Sequence, residues 1–167
     1  FAALNGIPYR EIPLADDFTV RPQDYKGINQ TVIIANPNAP TGLTLPLDAI
    51  EKIVQTNPDS VVVIDEAYID FGGTSCVDLI KKYDNLLVVQ TFSKSRSMAG
   101  ARLGFAIADA GIIEDLEKIK YSTNPYNINK MTMFAALGML EDEDYTRKNC
   151  ETIIKNREET AVKLKEM

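Results

Sequence analysis

The chain has 167 residues, 45% hydrophobic and 25% charged, which suits one globular domain or part of a larger one. A formal net charge of −6 argues against a nucleic-acid partner. Histidine is absent, which excludes Ser-His-Asp and Cys-His hydrolases and most zinc sites, and Cys76 and Cys150 form neither a CxxC pair nor a disulfide framework. The two isolated cysteines fit a reducing compartment, and no apolar run approaches the roughly 18 residues of a membrane-spanning helix. A cytoplasmic protein with no membrane partner and no metal is therefore expected. No Walker A or GxGxxG motif is present, so any catalysis rests on Lys, Asp, Tyr, Ser, Thr or Arg.

In chain order, β-rich runs are predicted at 9–13 (YREIP), 31–35 (TVIIA), 60–64 (SVVVI), 85–90 (NLLVVQ) and 103–108 (LGFAIA). The three middle runs are almost wholly apolar, as in parallel strands covered on both faces. Between them, 47–55 (LDAIEKIVQ) has helical spacing and follows Pro46, and 75–83 is a shorter helix candidate. Strand–helix alternation predicts a three-layer α/β/α fold with a mostly parallel sheet. After Ala108 the strands give way to helices at 110–120, 129–140 and 142–165, the first two separated by Asn124-Pro125. The chain begins at Phe1 in an apolar-rich segment and ends at Met167 within a helical pattern, so it reads as an internal piece of a longer protein.

In open α/β sheets, ligands bind beyond the carboxyl ends of the strands. There the sequence places NPNAPTG (36–42), DEAYIDF (65–71) and TFSKSRSMAGARLGF (91–105). Taken alone, each has an ordinary reading. NPNAPTG is loop punctuation, Asp65 a helix cap, Tyr68 and Phe71 packing aromatics, Lys94 a solvated lysine and Arg102 a surface charge. Taken together they form a complementary set. An amine at a strand end can attack an aldehyde once burial or a nearby cation lowers its pKa. An aspartate one strand away suits a pyridinium nitrogen, and Tyr68 a ring hydroxyl. Thr91, Ser93 and Arg102 suit a phosphate, with Gly100 and Gly104 permitting close approach. That is the requirement of a pyridoxal phosphate site.

These three motifs resemble the fold-type-I, pyridoxal-phosphate-dependent aminotransferases of class I/II, and DEAYIDF with TFSKSRSMAGARLGFAIA is most similar to the histidinol-phosphate aminotransferases. The resemblance spans roughly residues 1–140. It implies that Lys94 carries the cofactor as an aldimine and acts as the base in the proton shift. It further implies that Asp65 pairs with the pyridine nitrogen, that Tyr68 bonds the ring hydroxyl, and that Thr91, Ser93 and Arg102 contact the phosphate. One position departs from the family pattern. The asparagine commonly found before PTG is Ala39 here, and Asn38 or Asn36 is the candidate replacement.

By the same resemblance, residues 1–138 form the central part of the cofactor-binding large domain, and 139–167 a helix that bridges to, or begins, a small domain. The family's glycine-rich phosphate segment lies before Phe1, and its carboxylate-binding arginine beyond Met167, so the chain alone is expected to be inactive. The implied reaction is transamination between histidinol phosphate and 2-oxoglutarate or glutamate, in histidine biosynthesis, by a homodimer of the full-length protein. Threonine-phosphate decarboxylase, another class I/II aminotransferase such as one for aromatic amino acids, and a pyridoxal-phosphate-sensing regulator are the alternatives.

Overall fold

The computed structural model describes residues 2–167; Phe1, where the expected large-domain span begins, lies outside them. Four strands form one sheet: β1 (Val32–Ala35), β2 (Val62–Asp65), β3 (Leu86–Thr91) and β4 (Gly104–Ala108). Their spatial order is β1-β2-β3-β4, the same as their order in the chain. The first three are parallel, with Ala35 opposite Asp65 and Asp65 opposite Val89. β4 runs antiparallel to β3 and sets Gly104 opposite Thr91. The carboxyl ends of β1, β2 and β3 therefore share one edge, as the mostly parallel α/β reading requires.

Helix α1 (Leu47–Gln55) occupies the predicted span and follows Pro46, whose missing N–H costs nothing before the first turn. Its Ala49, Ile50, Ile53 and Val54 recur at helical spacing and are buried. Ile50, Ile53 and Val54 meet Val32, Ile34, Val62, Ile64, Leu86 and Val88 from one face of the sheet, with Tyr25, Cys76 and Leu79 closing the cluster. Burying such side chains contributes about 1.5–3 kcal/mol each. Coverage of the other face is uneven: Leu87 is buried, whereas Ile33 on the edge strand β1 is 70% exposed. The expectation of strands covered on both faces thus holds at β3 and fails at β1.

Two further expectations change. Residues 9–13 form no strand and lie largely exposed, because Pro8 and Pro13 bracket the run, lack donors, and leave it without a partner. The 75–83 segment narrows to a five-residue 3-10 helix, Val77–Lys81, which is too short for a full amphipathic face.

The last three helices start where capping residues stand. Helices α2 (Ala110–Thr123), α3 (Lys130–Glu141) and α4 (Glu143–Lys165) follow Asp109, Asn129 and Asp142. Each cap side chain accepts an N–H of the first turn, from Gly111, Thr132 and Tyr145 respectively, at 2.9, 2.9 and 3.0 Å. Helix α2 packs on β4, and α4 on α3 and on the 3-10 turn Ile69–Phe71. Among the described residues no helix is long and apolar enough to cross a membrane.

Asn57 is the polar hub beneath α1. Fully buried, it donates to the carbonyls of Tyr25 and Ile53 at 2.7 and 2.8 Å and accepts from the amides of Ile28 and Asn29 at 2.8 and 3.2 Å. Asn57→Ala removes a partner from four backbone groups, of which the Ile53 carbonyl keeps its bond from Thr56 Oγ1, and is expected to cost about 3 kcal/mol in urea unfolding. A loss under about 1 kcal/mol would show that water replaces the amide.

Candidate active site

The strand edge organises the site because each strand hands its chain to a loop at the same level. At β1, the Asn36 amide N donates to Asp65 O at 2.9 Å; at β2, the Glu66 N donates to Val89 O at 2.8 Å. The parallel ladder thus continues one residue past each strand and fixes the three loops relative to one another.

Asp65 ends β2, half-buried, and its Oδ1 accepts from the Ala67 N–H at 3.0 Å. This Asx-type contact turns the chain and holds the carboxylate by one oxygen. Tyr68 follows, half-buried, with its ring 6.4 Å from that of Phe71. The Lys94 Nζ stands 5.0 Å from the centroid of the Tyr68 ring. The structure thus joins the lysine loop to the turn that carries Asp65 and Tyr68. Lys94 itself is exposed, and among the described residues no hydrogen bond or ion pair reaches its amine. The burial expected around it is not found, because the loop carries the side chain out beyond the strand ends.

The hydroxyl candidates lie together. Thr91 Oγ1 donates to Leu103 O at 3.2 Å and accepts from the Ser93 N–H at 3.1 Å. Gly104 sits opposite Thr91, and a Cβ there would come within 3.0 Å of Gln90 O, so the close approach of β4 depends on glycine. Arg102 adopts a left-handed φ of 54° and its guanidinium donates to Ala99 O at 3.2 Å. It is exposed and makes no hydrogen bond to Thr91 or Ser93, so the structure joins the two hydroxyl residues while the guanidinium bonds elsewhere.

At the β1 end, Asn38 Nδ2 donates to Thr41 Oγ1 at 2.8 Å, and the Asn38 backbone pairs with Leu43 and Gly42. Asn36 is buried, its Oδ1 accepting from the Leu45 N–H at 2.8 Å. Asn36 is committed to the loop, and Asn38 is the half-buried amide of this segment. Ala39 is exposed.

Sequence reasoning passed over the residues that hold the lysine loop. Ser95, buried, donates a short hydrogen bond to the Asp70 carboxylate. Arg96 donates to Met139 O at 3.3 Å and lies over the Phe92 ring. Arg157 of α4 donates to Phe71 O at 2.8 Å, which ties the long helix to the turn after Tyr68. A serine and an arginine flanking Lys94 were the available signal, since a surface lysine needs no such neighbours. A cavity of about 290 Å³ opens behind this loop, lined by Asp70, Arg96, Thr146 and Cys150, and does not include Lys94.

Cys76 lies under the same edge. Burial, then the adjacent Glu66 carboxylate, push its thiol far above the ordinary range. Cys76 is therefore expected to resist iodoacetamide at pH 8 in the folded protein and to react once unfolded; rapid labelling of the native state would contradict this.

The donor set on this edge comprises an amine, a carboxylate held by one oxygen, a phenol, the Thr91 hydroxyl joined to the Ser93 backbone, and the exposed Arg102 guanidinium. It fits a phosphorylated pyridine aldehyde. A family model described as aminotransferase class I and II matches residues 1–167. A histidinol-phosphate aminotransferase from Brachyspira hyodysenteriae is 53% identical over 168 residues, covering 100% of this chain and 48% of that protein. The chain spans about half the length of the curated relatives it matches. Among solved structures, the histidinol-phosphate aminotransferase from Clostridium acetobutylicum aligns over 99% of this chain and 51% of its own, with TM-score 0.89 and 29% identity. That from Sinorhizobium meliloti, in complex with pyridoxal-5'-phosphate, aligns over 94% of this chain and 44% of its own, with TM-score 0.79 and 25% identity.

Proposed function

Because the chain belongs to the aminotransferase class I and II family, we propose that its protein transfers an amino group between histidinol phosphate and 2-oxoglutarate, in histidine biosynthesis, with pyridoxal 5'-phosphate as cofactor. The observation that carries the reading is the Lys94 amine over the Tyr68 ring, on loops that leave two adjacent parallel strands. The names of the curated relatives support the substrate.

When bound, the cofactor supplies an aldehyde that an amine can join and a ring that takes up electron density. The residues of this chain do the rest. Lys94 presents its Nζ as the amine and as the base that takes the proton from the substrate α carbon. Asp65, held by Ala67, offers its second oxygen to a ring nitrogen and favours the protonated form. Tyr68 would hydrogen-bond the ring oxygen, with Asn38 the candidate for a second contact. Thr91, Ser93 and Arg102 bind the phosphate, the arginine after its side chain leaves Ala99. Residues 1–138 form the central part of the cofactor-binding domain, and 139–167 lead toward a second, smaller one. A cytoplasmic homodimer of the full-length chain completes the reading.

The test uses the full-length protein. Single-turnover rates with histidinol phosphate, tyrosine, phenylalanine and threonine phosphate are followed by the change in cofactor absorbance. Histidinol phosphate is expected to give the highest rate at limiting concentration. A faster aromatic amino acid would reassign the substrate, and release of carbon dioxide from threonine phosphate would reassign the reaction. Borohydride reduction followed by peptide mapping is expected to place the cofactor on Lys94.

A further inference from the structure

Glu66 has no part in the chemistry above, yet it is among the most buried polar side chains of the molecule, at 1% exposure. It follows Asp65 directly, and consecutive side chains at a strand end leave toward opposite faces. Asp65 lies half-buried at the edge of the site, while Glu66 enters the protein beside Cys76. A carboxylate placed among apolar side chains costs several kcal/mol unless hydrogen bonds satisfy it, whereas an apolar residue of similar size fills the same space without that cost.

Here both oxygens are satisfied, by groups from two other segments. Oε1 accepts from the Cys76 N–H at 2.7 Å. Oε2 accepts from Ser75 Oγ at 2.7 Å and from Gln90 Nε2 at 2.8 Å. The Glu66 backbone adds its bond to Val89 O and accepts from the Ile69 N–H at 3.1 Å. One residue thus links the end of β2, the end of β3 and the 75–76 segment. Its two neighbours in this net matter most. Asp65 precedes Glu66, and Thr91 follows Gln90, so the Glu66–Gln90 bond spans the gap between the ring-facing carboxylate and the strand that leads to Ser93 and Lys94.

We infer that Glu66 is a positioning residue, which through Gln90, Ser75 and the Cys76 amide fixes Asp65 relative to Thr91 and the Lys94 loop, and so sets how firmly the site holds a pyridine ring. The inference rests on the reading of Asp65 and Lys94 as cofactor-facing residues. Groups that support a binding residue from behind typically matter 10–100-fold in affinity or activity at metal sites, and a comparable scale applies to a carboxylate that must meet one ring atom.

The experiment uses full-length protein with and without pyridoxal phosphate. Glu66→Gln turns an amide NH₂ toward donors that need an acceptor. It is expected to raise the cofactor dissociation constant about 10-fold, shift the pH midpoint of the lysine-bound visible band, and lower kcat with KM little changed. The exchange variant Glu66→Gln with Gln90→Glu restores one acceptor facing one donor and is expected to recover most of the affinity and the midpoint. Gln90→Met, which removes a single donor from a half-buried site, is expected to weaken cofactor binding about threefold and serves if Glu66→Gln does not fold. Thermal unfolding of the cofactor-free variants separates positioning from stability. A Glu66→Gln protein that melts earlier but keeps the wild-type dissociation constant, midpoint and kcat overturns the inference, as does a Gln90→Met protein with unchanged affinity. A band that survives Lys94→Ala overturns the cofactor reading and this inference with it. A band lost in Lys94→Ala but untouched in Glu66→Gln overturns this inference alone.

Discussion

Replacing Lys94 by alanine in the full-length protein is expected to abolish the visible band formed with pyridoxal phosphate and to lower transamination by about 10³-fold or more, the loss of both the linking amine and the proton-transferring base. The fold should not register the change. Lys94 is exposed, and its described contact is the Tyr68 ring at 5.0 Å, so unfolding free energy is expected to stay within about 0.5 kcal/mol of wild type. Lys94→Arg sharpens the point. It keeps a cation over the aromatic ring but offers a guanidinium, which stays protonated and does not join an aldehyde. It is expected to be as inactive as the alanine variant. Activity within tenfold of wild type in either variant would remove Lys94 from the chemistry.

The second large effect is expected at Asp65. Its Oδ1 is occupied by the Ala67 amide, while the other carboxylate oxygen has no hydrogen-bond partner among the described residues. Asparagine can keep the Ala67 contact and so preserve the turn, but it carries no charge to hold a proton on a ring nitrogen. Asp65→Asn is therefore expected to retain stability and bind cofactor at least about 10-fold more weakly, while kcat at saturating cofactor falls by about 10²–10³-fold, the scale of removing one preorganised group aimed at developing charge. Asp65→Glu is expected to recover little, because an added methylene shifts the carboxylate and a misplacement near 1 Å already costs about 10²-fold. A kcat for Asp65→Asn close to wild type would show that the ring nitrogen is held by another group.

How much of this was readable in advance follows from the physics of each signal. The strands β1, β2 and β3 were visible because buried parallel strands write continuous apolar runs, and α1 because Pro46 and helical spacing mark both its start and its face. The last helices were legible from the end of the strand runs at Ala108 and the Asn124-Pro125 break, while their caps Asp109, Asn129 and Asp142 are seen in the structure. The YREIP run misled because its composition suits a strand, while pairing depends on a neighbour that local sequence does not specify. The uneven cover at Ile33 was hidden for the same reason. The placing of Asp65, Tyr68 and Lys94 at strand ends was legible, and the structure puts the Lys94 amine against the Tyr68 ring. The exposure of that amine and the turn of the Arg102 guanidinium to Ala99 O were not legible, since side-chain direction in a loop depends on backbone torsions such as the left-handed Arg102. Glu66, Ser95 and Asp70 were missed because their partners are distant in sequence: Ser95 meets Asp70 across 25 positions and Glu66 meets Gln90 across 24.

A sheet whose spatial order repeats its chain order has a kinetic consequence. β2 adds beside β1, β3 beside β2, and β4 folds back on β3 through the loop that carries Lys94. The docking steps close connections of 26, 20 and 12 residues onto a strand already in place, and none must wait for a partner from the far end of the sheet. Loop-closure entropy grows only slowly with length, so these steps have similar, modest costs. The segment 32–108 is therefore expected to assemble in the direction of synthesis, with the lysine loop secured last, when Gly104 pairs with Thr91 and Ser95 meets Asp70.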